Sequence, residues 1–187
     1  MIAYNVAQLL KAATGTIRRV ELDELDPDLV ADLHVVSPTQ GSLRLMRTSA
    51  GILVTGTLTH RVEAVCSRCL ETFVRTQVIE LDEEFVPVVD VNTGLFLAEP
   101  DDADAFRLTP EHLLDLTEAI RQYGILESPL QPLCDEGCKG LCPTCGANLN
   151  QGDCGCPPGS DPEAHRGVLG RLLVERMRQA GFNPEEE

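Results

Sequence analysis

Eight cysteines stand in four close pairs: Cys66 with Cys69, Cys134 with Cys138, Cys142 with Cys145, and Cys154 with Cys156. A spacing of one to three residues lets two thiolates point at a single metal ion. Four such pairs complete two tetrahedral four-thiolate zinc sites with no cysteine left over. A four-thiolate shell is closed, whereas a catalytic zinc keeps a position open and usually includes a histidine or carboxylate. The expected cofactor is therefore zinc, two ions per chain, in a structural role. The four histidines (His34, His60, His112 and His165) are scattered, and none stands within three residues of a cysteine. They are read as surface or satisfied core residues, not ligands. No phosphate-cradling glycine loop, GxSxG or HExxH run is present, so no catalytic residue is assigned, no small-molecule substrate is expected, and the protein is read as a non-enzyme.

The spacing alone leaves two groupings open. In the nearer one, Cys142, Cys145, Cys154 and Cys156 hold one ion, and Cys66, Cys69, Cys134 and Cys138 hold the other. The second grouping would tie a bend between two strands to a segment far along the chain. Closing so long a loop costs little more than closing a short one, and a structural zinc contributes on the order of 10 kcal/mol. In the alternative, Cys134, Cys138, Cys142 and Cys145 share one ion, and Cys66 and Cys69 meet Cys154 and Cys156.

The elements that must position these thiols can be read from the pattern. Asn5 can cap a short helix over 6–12. Residues 16–25 alternate as a strand. From 29 to 86 the chain reads as β structure in the segments 29–36, 42–48, 52–65 and 72–86, with Leu43 and Leu45 flanking Arg44 as in an antiparallel sheet with one wet face. The Cys66–Cys69 pair falls at the bend between the two longest strands. Residues 87–108 carry Pro87, Gly94, Pro100 and the acidic run 99–104, and read as a loop or linker. Thr109-Pro110 then starts a helix expected to end at Gly124. After the cysteine-rich stretch, Asp161-Pro162 starts a second helix with a stripe of Val168, Leu169, Leu172, Leu173 and Met177. The fold class is α+β: a β-rich region 1–86 with a short N-terminal helix, an acidic linker 87–108, and a region 109–187 of helices around a cysteine-rich zinc-binding segment.

Composition sets the class of partner. The 187-residue chain has a net charge of −15, and two zinc–tetrathiolate centres would lower it to about −19. A phosphate backbone repels such a surface, so RNA would be served through a basic protein or one local patch. Five arginines (Arg44, Arg47, Arg61, Arg68 and Arg75) against Glu63 and Glu71 mark the candidate patch over 40–79. The plainer reading of the same residues is a solvated sheet face. No stretch approaches 18 apolar residues and no apolar run follows a basic start. The expected setting is the cytoplasm, where thiols bind metal instead of forming disulfides.

The run Cys138-Lys139-Gly140-Leu141-Cys142-Pro143-Thr144-Cys145-Gly146-Ala147-Asn148-Leu149-Asn150, closed by Cys154-Gly155-Cys156, resembles the bacterial YceD family. So do Cys66-Ser67-Arg68-Cys69-Leu70-Glu71, the acidic strand end Asp82-Glu83-Glu84-Phe85, and the opening Asn5-Val6-Ala7-Gln8-Leu9-Leu10. The resemblance covers nearly the whole chain. It implies a non-enzymatic factor for accumulation or processing of large-subunit (23S) ribosomal RNA, acting as a zinc-stapled scaffold. The implied partner is a large-subunit component: a basic ribosomal protein, the rRNA, or both. Some relatives keep the first pair and the region matching Cys134–Cys138 but lack the later cysteines, which favours the grouping Cys66, Cys69, Cys134 and Cys138. A competing function for the same cysteines is a redox-sensitive zinc chaperone.

Overall fold

A computed structural model describes residues 1–98, 105–156 and Arg176. The helix expected after Pro162 and the acidic run 99–104 lie outside the described residues, Arg176 apart. The chain divides into two compact units. The first comprises Met1–Cys66 and Glu71–Cys134, and the second comprises Ser67–Leu70 and the chain from Asp135 onward.

The first unit is built on a four-stranded antiparallel sheet in the order β2 (Ile17–Glu24), β3 (Thr39–Arg47), β4 (Ile52–Val65) and β5 (Thr72–Phe85). The architecture is α+β, with antiparallel sheets and a few helices. Alternation drives it. Leu43, Leu45, Val54, Leu58, Ile79 and Leu81 are almost wholly buried, while Arg44, Thr57, Thr59, Val78 and Glu80 stand exposed on the other face. The two central strands need close approach: a Cβ on Gly41 would lie 2.2 Å from the Thr57 carbonyl oxygen.

Helices α1 (Ala7–Leu10), α2 (Pro27–Leu33) and α3 (Thr117–Leu126) and a small two-stranded sheet, β1 (Ala3–Asn5) with β6 (Leu113–Asp115), complete the unit. Ile2, Val6, Leu9, Leu10, Leu114, Leu116 and Ile120 join the sheet residues in one core. A polar chain crosses that core. The Thr39 hydroxyl lies 3.1 Å from His60 Nδ1, His60 Nε2 lies 3.0 Å from Gln77 Oε1, and Gln77 Nε2 donates to the Gly124 carbonyl at 2.6 Å. Each buried polar group here has a partner, so the cost of burial is offset. His60 is 2% exposed, and burial pushes its pKa below the ordinary 6.5.

Three elements differ from the sequence expectation. Residues 29–36 do not begin as a strand; α2 occupies Pro27–Leu33. Asp26 Oδ1 accepts from Asp28 N at 2.9 Å, Pro27 sits in the first turn, and His34 ends the helix in the left-handed region at φ 53. The Asp26-Pro27 pair starts a helix, as it does elsewhere in proteins. The helix expected from Pro110 begins instead at Thr117. Thr109 Oγ1 accepts from Leu113 N at 3.2 Å to make a turn, and Leu113–Asp115 then pairs with Ala3–Asn5. Gly124 does not stop α3; it lies inside it, where a Cβ would meet Leu33 Cδ1 at 2.6 Å. Asn5 does accept from the Ala7 N–H at 3.1 Å, and α1 is shorter than expected. Between residues 87 and 108, Val89 and Leu108 are buried and isolated bridges join Val86 to Arg107 and Val89 to Phe96.

Candidate metal centres

The β4–β5 hairpin places the first pair of thiols. Its 14 residue pairs run without interruption from Ile52↔Phe85 to Val65↔Thr72. The ladder then closes with the Cys66 N–H donating to the Glu71 carbonyl at 2.9 Å. The connection turns sharply through Leu70, held at φ 60, so both cysteine side chains leave the same bend. Cys66 is fully buried and Cys69 is 4% exposed.

The other thiols come from a run of tight turns. The Gly137 N–H donates to Asp135 Oδ1 at 2.7 Å and the Cys138 N–H to the Asp135 carbonyl at 3.0 Å, which coils Cys134–Cys138. The next pair sits on a miniature hairpin. Cys142 N donates to the Ala147 carbonyl, Gly146 N donates to the Cys142 carbonyl, and Leu149 N donates to the Gly140 carbonyl, at 2.8, 2.8 and 2.9 Å. Gly146 takes φ 76 and Gly140 φ 73, where a side chain would be strained. At Gly155, φ 70 and a bond from its N–H to Asp153 Oδ1 at 3.0 Å turn Cys154 and Cys156 toward one side.

Two clusters result. The sulfurs of Cys66, Cys69, Cys134 and Cys138 all lie within 4.8 Å of one another, and so do those of Cys142, Cys145, Cys154 and Cys156. This is the nearer of the two groupings left open by the spacing. Sulfurs around a tetrahedral zinc at about 2.3 Å stand about 3.8 Å apart, so each cluster fits a four-thiolate ion after a small contraction. No disulfide joins any of the eight. Among the described residues, neither cluster contains a histidine or carboxylate. Each could hold a metal ion.

The electrostatics of the second cluster suit that use. The Cys142 thiol is held down to about 6, chiefly by the backbone N–H groups of Cys145 and Thr144 and then by the Cys154 thiol. Cys156 is pushed up to about 12 by the thiols of Cys145 and Cys154. Cys154 is raised as well, because its neighbour thiol Cys142 and desolvation outweigh the pull of the Cys156 N–H. Four thiols this close share protons instead of all ionising. A bound divalent cation reverses this, taking four thiolates and releasing the protons.

Residues outside the cysteine pattern support the first cluster. Asn150 Nδ2 donates to Cys138 Sγ at 3.2 Å, and Asn150 Oδ1 accepts from Lys139 N at 2.8 Å. Arg68 Nη1 donates to the carbonyls of Cys138 and Glu136 at 3.0 and 3.3 Å. The residue pattern places Arg68 in the candidate basic patch and gives Asn150 no role at a metal centre. Its one hint was an Asn inside a cysteine run, where a side-chain amide can serve both backbone and sulfur. The five-arginine patch is also dispersed. Arg47 bonds to the carbonyls of Leu10, Thr48 and Gly51, Arg68 is held as described, and Arg75 donates to Ser128 Oγ at 3.4 Å. By register, Arg44 and Arg61 share the open sheet face with Arg19.

The family profile described as large ribosomal RNA subunit accumulation protein YceD matches residues 54–172, more than half of the chain. The chain belongs to the YceD family. The match begins within β4 and takes in all eight cysteines. A protein of Mycobacterium tuberculosis (strain ATCC 25618 / H37Rv), described only as uncharacterized, is 33% identical over 122 residues, which cover 63% of this chain and 56% of the relative. The chain thus spans little more than half the length of the mycobacterial relatives it matches. A protein of Arabidopsis thaliana, described as large ribosomal RNA subunit accumulation protein YCED homolog 1, chloroplastic, is 35% identical over 69 residues, 37% of this chain and 21% of the relative. Its namesake in Zea mays is 48% identical over 46 residues, 24% of this chain and 16% of that protein. No solved structure matches the chain. The description of the family names accumulation of large-subunit rRNA. Among the described residues, no helix is long and apolar enough to cross a membrane.

Proposed function

We propose that this protein is a non-enzymatic factor of ribosome biogenesis that supports accumulation or processing of large-subunit (23S) rRNA in the cytoplasm. Two structural zinc ions hold the cysteine-bearing turns in place, and the work is done by binding. The observation that carries this reading is membership of the YceD family together with two closed clusters of four thiols. When bound, zinc supplies cross-linking energy and no reactive position. A net charge of −15 favours a basic protein of the large subunit as the partner over bare rRNA. The dispersal of the arginines favours it too. The test is depletion of the protein from its own cells. The ratio of mature large-subunit to small-subunit rRNA should fall, and an unchanged ratio would overturn the proposal. Metal analysis of the purified chain should return about two zinc ions.

A further inference from the structure

β5 is one edge of the sheet, and the chain already uses the free side of that edge at one end. In an antiparallel strand, the N–H and C=O of alternate residues point to opposite sides. Bonds at Asp82, and at Val86 just beyond the last residue of β5, show which residues point away from β4. Val86 N donates to the Phe106 carbonyl at 2.9 Å, Leu108 N donates to the Val86 carbonyl at 2.9 Å, and the Tyr123 hydroxyl donates to the Asp82 carbonyl at 3.2 Å. The register is unbroken, so the even-numbered residues face outward throughout. At Thr72, Val74, Thr76, Val78 and Glu80, these outward N–H and C=O groups have no backbone partner among the described residues.

Exposed edges are normally blunted by charge, proline or a bulge. The opposite edge, β2, obeys this rule, since Arg18, Arg19, Glu21, Asp23 and Glu24 fill most of it. β5 does not. It has no bulge, proline or lysine, and between Thr72 and Ile79 its one charged residue is Arg75, which donates to Ser128 Oγ. Val74 and Val78 are 42% and 47% exposed on the open face. Beyond them on the same face stand Glu80, Asp82 and Glu84.

We infer that the edge Thr72–Glu80, unpaired among the described residues, receives an extended segment of a basic protein as a fifth strand. In strand addition, main-chain hydrogen bonds supply affinity and alternate side chains select the partner. The selection here is for an apolar or β-branched side chain beside Val74 and Val78 and a lysine or arginine beside Glu80 and Asp82. A second copy of this acidic chain is repelled. RNA carries no peptide groups to complete the ladder, and among the described residues the strands present no aromatic ring on the open face on which bases could stack. The inference deepens the proposed function by naming the surface its basic partner would use.

The edge can be tested apart from that function. The full metal-loaded chain is mixed with a short synthetic peptide of alternating lysine and threonine, and amide exchange is followed residue by residue. Exchange at the N–H of Val74, Thr76 and Val78 should slow by about tenfold or more, with no change at odd-numbered residues already bonded to β4. The glutamate–threonine counterpart should have no such effect. Thr76→Pro removes an outward N–H without touching the β4 ladder and should abolish the slowing. Val78→Lys, which sets like charges together, should weaken it even if the proline variant does not fold. No slowing, equal slowing by both peptides, protection that instead grows with protein concentration alone, or protection by protein-free large-subunit rRNA would each overturn the inference. An unchanged rRNA ratio on depletion would sink the proposed function and leave a positive edge result standing. A failed edge with a lowered ratio would sink the edge alone.

Discussion

The two thiol clusters have the same ligand count and opposite construction. Cys142, Cys145, Cys154 and Cys156 come from one short stretch, and three of them keep solvent contact, with Cys145 exposed. Cys66, Cys69, Cys134 and Cys138 are drawn from places about 65 residues apart, and three of the four are buried. A local cluster orders little beyond its own turns. A distant one constrains the bend of the longest hairpin. It is also braced by Asn150 and Arg68, which lie outside the cysteine pattern. Equal metal chemistry should therefore carry unequal structural weight.

The largest expected effect tests that inequality directly. Cys66→Ser should lose one metal and lower the unfolding midpoint far more than Cys145→Ser, because structural zinc contributes about 10–16 kcal/mol and the buried Cys66 closes the β4–β5 ladder at the hairpin bend. Calorimetry with metal analysis decides it, and equal midpoints would erase the contrast. Next, a strong chelator should remove the ions in two phases. The exposed cluster empties first, with rates separated by about an order of magnitude, because release needs local opening. A single phase would show that the clusters act as one. Asn150→Ala should weaken metal at the first cluster about 10–100-fold, as loss of a hydrogen bond to a ligand does, and leave the second unchanged. A competitive titration with a coloured chelator reads both. The smallest effect concerns the sheet without its metals. His60 has a folded-state pKa below its unfolded 6.5, so below that pH the unfolded chain binds the extra proton. The stabilisation present above pH 6.5 is lost as pH falls toward the folded value. Urea unfolding at pH 7.5 and 5.5 should show the decline, and His60→Gln should flatten it.

Much of this was legible in the residue pattern because it rests on local periodicity. β4 and β5 follow from alternation alone, and their turn follows from the pair Cys66–Cys69. Spacing makes Cys142, Cys145, Cys154 and Cys156 the nearer grouping but leaves the alternative open. The grouping of Cys66 and Cys69 with Cys134 and Cys138 is favoured by the family resemblance, since nothing local connects Cys69 to Cys134. Misreadings arose where a local cue met a tertiary one. Val30, Val35 and Val36 suggested a strand and hid the helix start at Asp26-Pro27. Leu113–Asp115 looked helical after Thr109-Pro110, but its backbone pairs with Ala3–Asn5, and strands of three residues carry no readable period. Asn150 was silent because a supporting hydrogen bond has no spacing rule.

The wide separation of Cys69 and Cys134 also has a meaning in time. A chain grows at about 5–20 residues per second, whereas a β-hairpin closes in about 1–10 μs. The β4–β5 hairpin is complete at Phe85, so it can be folded, with Cys66 and Cys69 presented at its tip, for about 2–10 s before Cys134 is made. During synthesis the first centre exists as half a site, two thiols waiting for two more, and the order of translation decides how long it waits.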